Sequence, residues 1–284
     1  MRKHIQSRQS GFTLVEILVV IAIIGILAGV TLVALRSARN FTGAAVVRHR
    51  LDDLEQCLEI YKQKFGEYPP DCTASKAEIR RHILKRWPNA LKGGHVDVMV
   101  DIAYDQTYRG PGWSLLFWLA GMDGEGFLAD DKSPIAAAPA ASEPREEPVM
   151  ELVYDSEGTG GGNWNERCGV MVNNIPIAYF RGTGDGYEGK ELAVFSEFGV
   201  AAPYMKNGAW YKPDSFQLIY AGEDGDFGNC PGESDEDHAG HESGEHEGHS
   251  HMSRDLSDSS TISLQDYDNI TNFTSGATLE SEME

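Results

Sequence analysis

The sequence predicts an α+β protein: a long N-terminal helix packed on a C-terminal antiparallel β-sheet head. Three observations predict it. Gly11 to Leu35 is apolar for more than twenty residues and carries a single charge, Glu16. Beyond it, apolar residues at Val47, Leu51, Leu54, Leu58, Tyr61 and Phe65 recur at spacings of 4, 3, 4, 3 and 4, one face of a helix. From Met150 onward, β-prone runs alternate with the turn-forming stretches EGTGGGN, RGTGDG and AGEDGDFGN, so strands follow helices and an antiparallel sheet is expected.

The elements follow in order. Residues 1–11 form a short basic head with Arg2, Lys3 and Arg8. Residues 12–35 are long enough to cross a bilayer, since a helix of about 20 residues spans its hydrocarbon core. A carboxylate inside that layer costs a few kcal/mol and is usually kept for a purpose. Residues 36–66 continue as an amphipathic stalk, with Arg48, Arg50, Asp52, Asp53, Glu55, Lys62 and Lys64 off the apolar face. Gly66 and then Pro69-Pro70 stop it. One helix from Phe12 to Phe65 would be about 80 Å long. Gly25, Gly29 and Gly43 are its soft spots, and Gly25 and Gly29 make a G-x-x-x-G pattern that permits close helix approach.

Residues 67–128 read as short helices and loops. Ser75 and Glu78 form a capping box at the start of a helix running to Trp87. Ile79, Ile83 and Trp87 are its core stripe, and His82 is expected on the solvated side. Trp113 to Leu119 reads as a buried helix closed by Gly121-Met-Asp-Gly-Glu-Gly126. Residues 129–149, rich in Ala, Pro and Glu, read as an exposed excursion. Residues 150–284 form the β-rich head. Its candidate strands are Met150–Tyr154, Val170–Val172, Ile177–Phe180, Leu192–Phe195 and Phe216–Tyr220.

Composition narrows the function. The 284 residues carry a net charge of −20, and nucleic-acid binding, which leaves a basic footprint, is not expected. Four cysteines, Cys57, Cys72, Cys168 and Cys230, are either free thiols or two disulfides in one of three pairings; Cys57 with Cys72 would clamp the stalk to the following loop. None has C-x-x-C spacing. No G-x-S-x-G elbow, H-E-x-x-H or Walker loop occurs, so no enzyme is expected. The basic head before an acidic remainder sets the N-terminus in the cytoplasm and the head outside it.

Ser10-Gly11-Phe12-Thr13-Leu14-Val15-Glu16 resembles the processing site of type IV pilins and type II secretion pseudopilins. The resemblance implies cleavage by prepilin peptidase between Gly11 and Phe12 and methylation of the new N-terminus at Phe12. It also implies a pairing of Glu16 with the N-terminal amine of a neighbouring subunit as helices bundle. The expected protein is a subunit of a membrane-anchored homo-oligomeric filament, the type II secretion pseudopilus. It would sit in the inner membrane as a single pass and work with other pseudopilins and an inner-membrane assembly platform. A type IV pilus minor pilin and a membrane-tethered metal-binding protein are the alternatives. Tyr61-Lys-Gln-Lys-Phe-Gly-Glu-Tyr-Pro-Pro70 resembles the end of the stalk helix in major pseudopilins.

Tyr220-Ala-Gly-Glu-Asp-Gly-Asp-Phe-Gly-Asn-Cys230, with Asp266-Tyr-Asp-Asn-Ile-Thr-Asn-Phe273, resembles their C-terminal calcium loop. Calcium takes six to eight hard oxygens, and Asp224, Asp226, Asp266 and Asp268 are the candidate carboxylates; a plain Asp/Gly turn is the alternative. Between the two pieces lies an insertion, residues 233–251, carrying His238, His241, His246, His249 and His251. Imidazoles in this density suit transition metals, although an acidic low-complexity segment also reads as a solvated loop.

Overall fold

The computed structural model describes residues 14–71, 73–88, 96–104, 113–120, 127–128, 145–146, 170–173, 175–187, 193–195, 198–228, 253–258, 260–274 and 278–283. The chain divides into two units, residues 1–43 and 44–284. Helix α1 (Leu14–Phe65) contributes to both.

In the second unit, α1 buries Val47, Leu51, Leu54, Leu58 and Tyr61, the face that the sequence spacing marks. The helix ends where Gly66 turns to φ +82° and its N–H bonds the Lys62 carbonyl at 2.6 Å, a left-handed cap that glycine adopts without a Cβ penalty. Helix α2 (Lys76–Arg86) starts at Ser75, whose hydroxyl accepts from the Glu78 N–H at 3.3 Å. It buries Ile79 and Ile83, with Trp87 just beyond. Helix α3 (Val96–Tyr104) lies beside α2; Arg80 pairs with Asp97, and Lys76 with Asp101 at 3.0 Å. Helix α4 (Trp113–Ala120) has Ser114 through Leu119 buried, as a helix apolar on all sides must.

The strands are β1 (Phe127–Leu128), β2 (Arg145–Glu146), β3 (Met171–Val172), β4 (Ile175–Arg181), β5 (Ala193–Phe195), β6 (Gly199–Ala201), β7 (Tyr204–Lys206), β8 (Ala209–Trp210), β9 (Phe216–Tyr220), β10 (Arg254–Asp255) and β11 (Ile270–Thr271). A 3₁₀ helix spans Leu264–Asp268, and α5 spans Glu280–Met283. The central sheet has the order β11-β9-β4-β3 and is antiparallel throughout. Its longest pairing sets Ile177 opposite Tyr220 and Arg181 opposite Phe216. The expected strand Met150–Tyr154 lies outside the described residues, as does the excursion 129–149 except for β2.

Both faces of this sheet are covered, and the pleat sorts the side chains. Ile177, Tyr179, Phe216, Leu218 and Tyr220 join one core with α1, α2, α3 and α4. Ala178, Phe180 and Ile219 join a second core with Tyr187, Tyr204, Phe227, Leu256 and Leu279. Gln217, fully buried, accepts from the Tyr204 N–H at 2.7 Å and donates to the Tyr204 and Tyr211 carbonyls at 2.8 and 3.0 Å. Its amide pins β7 across the second core and satisfies polar groups whose orphaning would cost about 1–3 kcal/mol each.

His82 departs from expectation. It is buried at 1% exposure rather than solvated. Its Nδ1 lies 3.2 Å from the Glu67 carboxylate and its Nε2 2.8 Å from the Tyr61 hydroxyl. The carboxylate can only accept, so Nδ1 carries the hydrogen and Nε2 accepts from Tyr61; the Tyr61 oxygen in turn accepts from Arg86 at 3.1 Å. Burial pushes the imidazole down to about 4. Burial also acts to raise the Glu67 carboxyl, but hydrogen bonds from Arg81 and Lys85 outweigh it and hold Glu67 at about 2. The histidine is therefore a neutral connector between α1, α2 and the Gly66-Glu67 turn.

Candidate assembly helix and metal loop

In the first unit, α1 exposes every side chain that is described. Leu14 is 80% and Ile26 69% exposed, and Val15, Ile17, Leu18, Val19, Val20, Ile21, Ile23, Ile24 and Leu27 are exposed with them. A patch of this kind marks a surface that another apolar body covers. Gly11 and Phe12 lie outside the described residues, and so does the Glu16 side chain, though its backbone is helical. Among the described residues no helix is long and apolar enough to cross a membrane.

The turn after α1 positions the head. Tyr68 is buried, donates to Glu59 at 2.6 Å and meets the Phe216 ring edge-on at 5.0 Å. The Pro69 carbonyl accepts from the Tyr179 hydroxyl at 2.8 Å. The Asp71 carboxylate accepts from the Arg181 N–H at 2.7 Å. The Gly-Glu-Tyr-Pro-Pro stretch thus joins the end of the stalk to β4 and β9.

At the far end of the sheet, the loop 221–228 wraps around Asp268. Asp268 Oδ2 accepts from the N–H groups of Glu223 at 2.6 Å and Asp224 at 3.2 Å. Gly222 makes this approach possible: a Cβ there would stand 2.2 Å from the Asp268 carboxyl carbon. Asp268 Oδ1 is buried with no hydrogen-bond partner among the described residues. Burial, with Asp268 and Asp226 nearby, raises the Asp224 carboxyl. Asp224 and Asp226 each fold back on the loop, accepting from the N–H groups of Asp226 at 2.9 Å and Gly228 at 2.8 Å.

Asp266 stands apart from these three. It is fully buried and ion-paired with Arg254, itself fully buried. Asp266 also accepts from the Tyr204 hydroxyl, and from the Ser263 N–H and hydroxyl at 2.8 and 2.9 Å. Arg254 donates to the carbonyls of Phe227 and Val200. No group of three or more His, Cys, Asp or Glu side chains stands ready to hold a metal among the described residues. His238, His241, His246, His249 and His251 lie outside those residues, as do Cys72, Cys168 and Cys230. Cys57 is half-buried and in no disulfide among the described residues; burial raises its thiol.

Arg254 was not singled out from the sequence, yet a signal for it exists. It is the only Lys or Arg between Pro213 and Glu284. A lone cation in so acidic a stretch has many carboxylates to choose from, and the fold gives it a buried one.

Residues 6–32 match the family model of the prokaryotic N-terminal methylation motif. The chain is also similar to the type II secretion system core protein G of Aeromonas hydrophila, with 29% identity over 129 residues, covering 44% of this chain and 90% of that protein. No solved structure matches the chain.

Proposed function

We propose that the protein is a pilin-like subunit of a membrane-anchored filament of the type II secretion pseudopilus kind. The observation that supports this best is the methylation motif running directly into a helix whose described apolar side chains over residues 14–27 are all exposed. Before assembly, residues 12–35 lie in the inner membrane with the basic head in the cytoplasm and the globular head in the periplasm. Prepilin peptidase cuts after Gly11, and Phe12 becomes the methylated N-terminus. An inner-membrane platform then lifts the subunit out, and the apolar segments of neighbouring copies and of other pseudopilins cover one another. The role is assembly rather than catalysis. Similarity to core protein G favours a secretion pseudopilus over a type IV pilus.

Mass spectrometry of the N-terminal peptide from membrane-extracted protein tests this reading. The expected chain begins at methylated Phe12 and retains the apolar helix. A chain beginning at Met1 would instead mean a plain anchor, and one beginning beyond Leu35 a cleaved secretory signal.

The reading includes a calcium ion at the C-terminal loop. Asp268 Oδ1, buried and without a hydrogen-bond partner among the described residues, fits such a hard cation, and the Asp224 carboxylate is close at hand. Asp266 fits poorly, because Arg254 neutralises it. Calcium would order the loop that closes β9 and draw it onto the 3₁₀ helix. Calcium at a hundredfold excess over its Kd would stabilise the head by about 2.7 kcal/mol, a rise in Tm of several degrees. Thermal melts with calcium against chelator measure this, and Asp268→Asn is expected to remove most of the difference. Coincident melts for the unaltered protein would discard the site.

A further inference from the structure

One polar cluster has no part in the assembly helix or the metal loop. Glu55, on α1, meets the turn before β9 and the segment after β11. Its Oε1 accepts from two groups at once: the Lys212 ammonium, by an ion pair, and Asn272 Nδ2 at 2.6 Å. Lys212 Nζ and Asn272 Nδ2 are therefore separated by no more than those two contacts laid end to end, and the carbon to be attacked, Asn272 Cγ, is one bond beyond Nδ2. Both are held from behind. The Leu218 N–H donates to Asn272 Oδ1 at 2.9 Å. That bond fixes which amide atom is the oxygen, turns the nitrogen toward Glu55, and polarises the carbonyl. The Lys212 carbonyl accepts from the Tyr187 hydroxyl at 2.9 Å and the Ser215 N–H at 3.1 Å. Lys212 holds φ +48°, a left-handed conformation that a long side chain rarely adopts and that here fixes the direction in which it leaves the backbone. The Phe216 ring lies 5.9 Å from Nζ, and Tyr211 stacks on Phe273 at 4.4 Å, so aromatic groups flank the cluster.

We infer that Glu55, Lys212 and Asn272 form a self-acting cross-linking site that joins Lys212 to Asn272 by an isopeptide bond. An amine, a carboxamide carbon and a carboxylate touching both partners are the requirements of an amide exchange. Glu55 takes one proton from the Lys212 ammonium and leaves a neutral amine. Nζ adds to Asn272 Cγ, and the negative charge that develops on Oδ1 faces the Leu218 N–H. Glu55 passes the proton to Nδ2, the Cγ–Nδ2 bond breaks as the Oδ1 charge collapses back to the carbonyl, and the ammonia set free takes the second proton from Nζ. The products are the Lys212–Asn272 amide and one ammonium ion, and Glu55 returns as a carboxylate. No oxidant, metal or cofactor is required. Glu55 is the catalytic residue, because it touches both reacting groups, and fixed geometry supplies the effective concentration that such a step needs. The bond would tie the turn before β9 to the segment after β11, closing the same edge of the head against which α1 packs.

Peptide mapping of the full-length protein decides the matter. After purification and incubation at neutral pH, the expected product is a branched tryptic peptide in which the Lys212 and Asn272 fragments are joined with the loss of one ammonia. Glu55→Gln and Lys212→Arg are each expected to abolish the branched peptide, and circular dichroism shows whether each variant is folded. Separate Lys212 and Asn272 peptides of unmodified mass from the unaltered protein would overturn the inference and leave an ordinary ion pair. Loss of ammonia at Asn272 without a branch would overturn it equally, as it would show cyclisation on the backbone instead.

Discussion

Replacing Glu16 with alanine is expected to abolish filaments while cleavage after Gly11 continues. In a bundle of apolar helices a carboxylate is tolerated only where something cationic meets it. The N-terminal amine of a neighbouring subunit, set free at Phe12, is the group that the proposed processing supplies. A hydrogen bond to a charged group contributes about 1.5–3 kcal/mol, roughly ten- to a hundredfold per contact, and every added subunit repeats the loss. Sheared filaments counted by electron microscopy, together with the N-terminal mass of the cell-bound protein, separate assembly from processing. Filaments of normal length and number from Glu16→Ala would remove the register argument while leaving the methylation motif intact.

The largest loss of stability is expected in the head, at Asp266. The Asp266 carboxylate and the Arg254 guanidinium are both fully buried. Removing one partner of a buried pair strands the other and costs about 3–5 kcal/mol. Asp266→Ala should therefore move the urea midpoint far down, and Arg254→Ala should do nearly the same, because Arg254 also supports the Phe227 and Val200 carbonyls. Replacing both with apolar side chains of similar volume should recover most of the loss. Equal destabilisation by the single and double variants would show that the hydrogen bonds to the backbone dominate rather than the charge pair.

Much of this architecture is legible in the sequence where one period is kept long enough. The stalk shows this, since its spacings place Val47, Leu51, Leu54, Leu58 and Tyr61 on one side, and all are buried. Strands β4 and β9 are legible for another reason, as short apolar β-prone runs bounded by turn-forming stretches. Helix α3 is not. Val96, Val98, Val100 and Ile102 alternate with Asp97 and Asp101, the period of a strand. The helix nonetheless buries Val96, Met99 and Val100 toward the head core and leaves Asp97 and Asp101 to the cations of α2, so tertiary pairing overrides the local period. His82 misleads for a related reason. Basic neighbours surround it in the sequence, but α2 turns it inward to Tyr61 and Glu67. The short strands β6, β7, β8, β10 and β11 carry too few residues for any period to appear. The partnership of Arg254 with Asp266 depends on long-range folding that no local pattern encodes.

One consequence follows from the way the described chain leaves and re-enters the head around residues 229–252. On the leaving side, the Gly228 carbonyl accepts from the Val200 N–H at 2.8 Å. On the returning side, the Arg254 N–H donates to the Pro203 carbonyl at 3.0 Å. Both ends are thus tied to the same few residues of β6 and the bend after it, and the Arg254 side chain bonds back to Phe227. A loop whose ends are already held together adds cost only logarithmically with its length, about 0.6 kcal/mol per doubling. Lengthening the segment between these two points is therefore expected to cost the head little stability. A tag inserted between residues 229 and 252 is expected to leave the melting temperature of the head nearly unchanged, which makes this segment a place to attach foreign sequence.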